Sequence, residues 1–76
     1  MTDLLDLKGL KCPLPVLRAK KALKSMAPGA VLEVLATDPG SVKDFNAFCE
    51  TSGDDMVSWS EANGVYRYTL RKKCRN

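Results

Sequence analysis

Apolar and polar positions change rhythm along the chain, and each change marks an element. Leu4-Leu5-Asp6-Leu7 is a short apolar run broken at Gly9, which predicts a strand over 4–7. Val16, Ala19, Leu23 and Met26 then recur at helical spacing, predicting a helix from Pro13 to about Met26. Pro28-Gly29 supplies the chemistry that stops it. Ala30-Val31-Leu32-Glu33-Val34-Leu35-Ala36 is apolar apart from Glu33 and reads as a mostly buried strand. Thr37-Asp38-Pro39-Gly40-Ser41 predicts a second helix start, with Asp38 as N-cap and Pro39 at the first helical position. Val42, Phe45, Phe48, Cys49 and Ser52 lie along one side of that helix, which ends near Gly53. Phe45 and Phe48 are expected in the core, with Cys49 beside them as a small buried hydrophobe.

The last third reads as a hairpin. Asn63-Gly64 is a strong two-residue turn signal, and it pairs Glu61 with Tyr66, Trp59 with Tyr68, and Val57 with Leu70. That register gathers Val57, Trp59, Tyr66, Tyr68 and Leu70 on one face, with Ser58, Ser60, Arg67, Thr69 and Arg71 on the other. The element order is therefore β-α-β-α-β-β. A strand, a helix and a further strand in succession form a crossover unit with parallel strands. The expected fold class is α+β, a two-layer α/β sandwich with two helices on one face of a four-stranded sheet.

Length and composition confine the function. The 76 residues make a single domain, 1–76, near the lower limit for an unaided core. Its 45% apolar and 28% charged residues are those of an ordinary globular protein. The longest apolar stretch falls far short of the ~20 residues a membrane span needs. The N-terminus has no basic segment followed by an apolar run, so a cytoplasmic location is expected. Three cysteines without a secretion signal argue against a disulfide framework. They form no Cys-x-x-Cys pair and the chain has no histidine, so no metal site or metal cofactor is expected. The missing imidazole also excludes cysteine–histidine hydrolases. Cys74, beyond the last strand, reads as an exposed, incidental thiol.

The remaining chemistry centres on Cys12-Pro13-Leu14-Pro15. Proline is tolerated in a first helical turn, so Pro13 at the first helical position and Pro15 fix a helix start at Cys12. A thiol there sits at the positive end of the helix dipole, which favours thiolate. That dipole contributes roughly 0.3–1 kcal/mol, so it lowers a thiol pKa by about a unit at most. Lys8 or Lys11 would add to this, and the Leu14 N–H is free for a sulfur anion. Such a thiol suits a residue that accepts a sulfur atom from one protein and passes it to another.

The chain resembles the TusA/SirA-type sulfur-carrier (sulfurtransferase) family. The match rests on Asp6, Gly9, Cys12-Pro13-Leu14-Pro15, Lys20, Pro28-Gly29, Thr37-Asp38-Pro39, Asp44, Phe48-Cys49 and Gly53. The resemblance implies that Cys12 carries a persulfide, supported by Pro13, Leu14, Pro15, Asp6 and Gly9, with no other cofactor. It implies a mixed four-stranded sheet under two helices. A cysteine desulfurase or rhodanese would be the sulfur donor, and an acceptor protein would take the sulfur on, for tRNA thiolation, sulfur oxidation or cofactor pathways. Asn46 replaces a proline found in many members, and Leu14 fills a position where members serving tRNA thiolation can carry an acid.

The basic residues Lys8, Lys11, Arg18, Lys20, Lys21 and Lys24 form either a solvated helix face or a docking surface. Lys11, Arg18, Lys20 and Lys21 are the candidate docking residues. The few aromatics look committed to the core, so a nucleic-acid partner is not expected. No membrane partner is expected either, and a monomer suffices. The other readings are a small RNA-binding or regulatory module, and a thiol redox sensor in which Cys12 pairs with Cys49 or Cys74.

Overall fold

Burial alternates strictly along the central strand: Leu32, Val34 and Ala36 are buried, while Val31, Glu33 and Leu35 are half-exposed. One face of the sheet is thus covered and the other open. The structure is a computed structural model that describes residues 2–73. Its elements are β1 (Thr2–Asp6), α1 (Leu14–Lys24), β2 (Val31–Ala36), α2 (Ser41–Ser52), β3 (Asp55–Ala62) and β4 (Val65–Arg71). The sheet order is β1-β2-β4-β3, with β1 parallel to β2 and the other pairs antiparallel. This is the expected β-α-β-α-β-β order and the expected mixed sheet. No helix among the described residues is long and apolar enough to cross a membrane.

The core gathers on the covered face. Leu23 and Ala19 of α1 and Phe45 of α2 meet Leu32, Val34, Tyr68 and Leu70 of the central strands. The Phe45 and Tyr68 rings lie 4.5 Å apart, an aromatic pair at the centre of the domain. The Tyr68 hydroxyl and Ser41 Oγ share a 2.6 Å hydrogen bond, which satisfies the only buried polar residue among those described. Phe48 and Cys49 pack at the edge of this cluster rather than inside it.

Several element boundaries differ from the sequence pattern. The first strand closes at Asp6, although Leu7 still donates its N–H to Leu35 O at 2.8 Å and is buried. Pro13 is the N-cap of α1 and not its first helical residue, and α1 ends at Lys24. Gly40, not Asp38, is the N-cap of α2; the Asp38 carboxylate accepts the N–H groups of Gly40 and Cys12 and caps no N–H within the helix. The hairpin keeps the expected pairs Glu61–Tyr66 and Trp59–Tyr68, turning through Asn63 and Gly64 at φ 54° and 82°. A bulge between Met56 and Ser58 then shifts the register, so Met56 and not Val57 faces Leu70. Val57 stands 54% exposed as a result. Trp59 keeps its register but is 46% exposed on β3, an edge strand paired only with β4.

The exit of β4 secures the far ends of both helices. Lys72 Nζ donates to Lys24 O and Met26 O, and Lys73 Nζ donates to Ser52 O. Ammonium groups at helix C-termini satisfy carbonyls that have no intrahelical partner and complement the dipole. Lys20, Lys24, Lys72 and Lys73 surround a groove of about 640 Å³ with Leu23 and Phe48 in its wall. It lies at the C-terminal ends of the helices, while the Cys-Pro-x-Pro turn lies at the N-terminal end of α1.

Candidate functional site: the Cys12 turn

β1 and β2 are parallel, so the loops that follow them emerge side by side. The first runs from Leu7 to Pro13 and the second from Thr37 to Gly40, each leading into a helix. Gly9, at φ 89°, turns the first loop and donates its N–H to Thr37 Oγ1 at 2.9 Å. A residue with a Cβ adopts that φ only with strain. Asp6 accepts the Lys8 N–H at 3.1 Å, and its other oxygen pairs with Lys8 Nζ at 3.9 Å. Asp6 and Gly9 therefore shape the turn from one side and do not touch the sulfur.

Asp38 holds the turn from the other side. Its Oδ2 accepts the Cys12 N–H at 2.5 Å and its Oδ1 accepts the Gly40 N–H at 3.2 Å. One carboxylate thus ties the backbone of the thiol to the start of α2. The two segments are so close that a Cβ on Gly40 would rest 3.7 Å from Cys12 Cβ. A cavity of about 330 Å³ opens beside them, lined by Gly9, Lys11, Cys12, Thr37 and Asp38 among others.

The Cys12 thiol is exposed and donates its proton to Asp44 Oδ2. Asp44 sits in the first turn of α2, where its N–H reaches Gly40 O at 3.2 Å. The thiol is pushed above its ordinary pKa, chiefly by this hydrogen bond. Desolvation and the negative charges of Asp44 and Asp38 act in the same direction. The sequence pattern alone predicts the opposite, a thiolate favoured by the helix dipole. Two features reverse it. Two carboxylates face the sulfur, and the Leu14 N–H is already donated to Lys11 O at 2.9 Å, so it is not free for a sulfur anion.

The other motif residues divide between support and exposure. Pro15 is buried against the core and anchors the first turn of α1, while Pro13 is exposed. Leu14 is 43% exposed beside the thiol and Leu17 is 53% exposed one turn on, so α1 presents apolar surface near the sulfur. The cations are spread along the molecule. Lys11 lines the cavity at Cys12, Lys20 lines the groove at the far end, and Arg18 and Lys21 are exposed on α1. Lys8 faces Asp6 instead of the sulfur.

Cys49 is half-buried in α2, and burial, followed by Asp54 and Asp55, raises its thiol pKa. Cys74 lies outside the described residues. No cluster of three or more metal-ligating side chains occurs among those described. The sequence pattern did not single out Asp38, Asp44 and Thr37 as partners of the turn. The signal was present in the topology, since loops leaving the C-terminal ends of adjacent parallel strands are neighbours.

Comparisons with known proteins agree with this geometry. The family model described as "Sulfurtransferase TusA" matches residues 4–72. The chain is 52% identical over 68 residues to the sulfur carrier protein TusA of Allochromatium vinosum, covering 90% of each protein. It is 41% identical over 70 residues to the sulfur carrier protein TusA of Pseudomonas aeruginosa, covering 92% of this chain and 89% of that protein. The solved SirA-like protein of Desulfitobacterium hafniense superposes with a TM-score of 0.80 at 32% identity, over 96% of this chain and 99% of the other. With its exposed cysteine held between two loops on this fold, the chain belongs to the TusA family of sulfur carriers.

Proposed function

We propose that Cys12 receives a sulfane sulfur as a persulfide and relays it to an acceptor protein. The observation that supports this most is the exposed thiol in direct contact with its own proton acceptor, Asp44. In loading, the Cys12 proton moves to the Asp44 carboxylate and the thiolate attacks the outer sulfur of a donor persulfide. The Cys12 S–S bond forms as the donor's S–S bond breaks, and the leaving donor thiolate takes up the proton. Cys12–SH and donor–S–SH thus become Cys12–S–SH and donor–SH, with no external oxidant or reductant.

A cysteine desulfurase or rhodanese is the donor in this reading. Lys11 and Arg18, near the thiol, and Lys20 and Lys21, further along α1, contribute docking contacts with donor and acceptor. Exposed Leu14 touches whichever partner closes over the sulfur. tRNA thiolation and sulfur oxidation are both compatible destinations.

Intact-mass spectrometry after incubation with a persulfide donor tests the proposal. The wild-type protein gains one sulfur atom that a reductant removes, and Cys12→Ser gains none. Sulfur uptake that persists in Cys12→Ser would overturn it.

A further inference from the structure

Asp38 and Asp44 both touch Cys12, but they touch different parts of it. Asp38 binds the Cys12 and Gly40 backbone N–H groups, which are present whatever the sulfur carries. Asp44 binds the thiol proton, which exists only while the sulfur is empty. We propose that Asp44 is a positioning residue that separates the two states of the carrier: it holds the empty Cys12 as a retained neutral thiol and turns the terminal sulfur of the loaded form outward.

This rests on the persulfide reading above and deepens it. A persulfide is a stronger acid than its parent thiol, so the loaded terminus is an anion with no proton to donate. The contact that was a hydrogen bond becomes one between like charges. Asp44 cannot withdraw easily. It belongs to a helix fixed to the sheet by the fully buried Phe45 and by the Ser41–Tyr68 hydrogen bond. Cys12 lies in a loop and is exposed, so its outer sulfur is the group that moves.

The charged and titratable groups around it agree. From its own loop it has Lys11, from the loop before α2 Asp38, and from α2 Asp44; the Tyr68 hydroxyl of β4, bonded to Ser41, feels the charge of both carboxylates. Asp44 forms no ion pair among the described residues that would neutralise it. The raised thiol pKa is consistent with retention of the empty form. The result is a carrier whose empty thiol stays protonated against Asp44 until a donor persulfide engages it, and whose sulfur is presented when loaded.

The test compares wild type, Asp44→Asn and Asp44→Glu by peptide-resolved mass spectrometry of iodoacetamide labelling at Cys12 across pH. Circular dichroism confirms that each variant is folded. For the empty protein, the midpoint of labelling falls in Asp44→Asn. Each pH unit by which it falls makes the reaction at neutral pH about tenfold faster. Asp44→Glu keeps a midpoint close to wild type. For protein loaded from a persulfide donor, the ratio of loaded to empty labelling at neutral pH falls several-fold in Asp44→Asn. A wild-type midpoint or an unchanged ratio in Asp44→Asn overturns the inference while leaving the carrier reading intact. A Cys12 that takes up no sulfur overturns the carrier reading and, with it, the outward turn of a loaded terminus.

Discussion

The loop before α1 and the loop before α2 both bring a proline to a helix start, and neither helix has a side-chain cap. They use the same sequence punctuation for opposite ends. The first presents a side chain, Cys12, and its backbone N–H groups are satisfied by acceptors at Lys11, Thr37 and Asp38. The second supplies side-chain oxygens from Thr37 and Asp38, and the helix it opens adds Asp44. A thiol can be left exposed on a short loop because a neighbouring, better anchored loop holds that loop still. The division of labour follows from parallel strands whose ends lie together.

Perturbing the supplying loop should therefore disturb the presenting one. Asp38→Ala leaves two backbone N–H groups without their acceptor and should cost about 1–3 kcal/mol, read from urea unfolding. If instead the variant matched wild type in stability and in Cys12 labelling, the two loops would be independent. Tyr68→Phe acts on the anchorage of α2 by depriving buried Ser41 of its partner, and about 1–2 kcal/mol is expected. A shift in Cys12 labelling in that variant would show that the anchorage reaches the thiol.

Gly9→Ala strains the presenting loop directly. Nothing lies within 4 Å of the added Cβ, so the cost is that of the left-handed backbone alone, about 1 kcal/mol. The smallest effect is one of pH. Because the fold raises the Cys12 pKa, its contribution is fully present below the ordinary thiol value of about 8.5 and is lost as pH rises through the raised one. Thermal melting should therefore show wild type losing stability relative to Cys12→Ser on the alkaline side only. A relative loss on the acid side would contradict the Asp44 contact.

The turn, the two helices and the hairpin were legible because each is marked by local chemistry. Proline and glycine punctuate Cys12–Pro15, Pro28-Gly29 and Asn63-Gly64, and the apolar spacing of Val16, Ala19 and Leu23 needs no distant partner. The protonation of Cys12 was not legible, because its determinants, Asp38 and Asp44, lie 26 and 32 residues away. Asp38 suits an N-cap by type, and only the neighbouring loop explains why it serves another role. The bulge at Val57 was hidden for a similar reason. Strict alternation of Val57 and Trp59 fits a regular strand equally well, and the shift is visible only against β4. The exposure of Trp59 follows from sheet order, which alternation does not encode.

Trp59 has a practical consequence. It is the only tryptophan in the chain, half-exposed on the β3 edge, with its ring 6.3 Å from Tyr68 and 6.4 Å from Tyr66. Tyr68 in turn is bonded to Ser41 at the start of the helix that carries Asp44. The protein thus carries an intrinsic fluorophore whose emission will move to shorter wavelength when a bound protein excludes water from that edge. Donor and acceptor complexes can be told apart by whether they quench, shift or leave that signal, with no label attached.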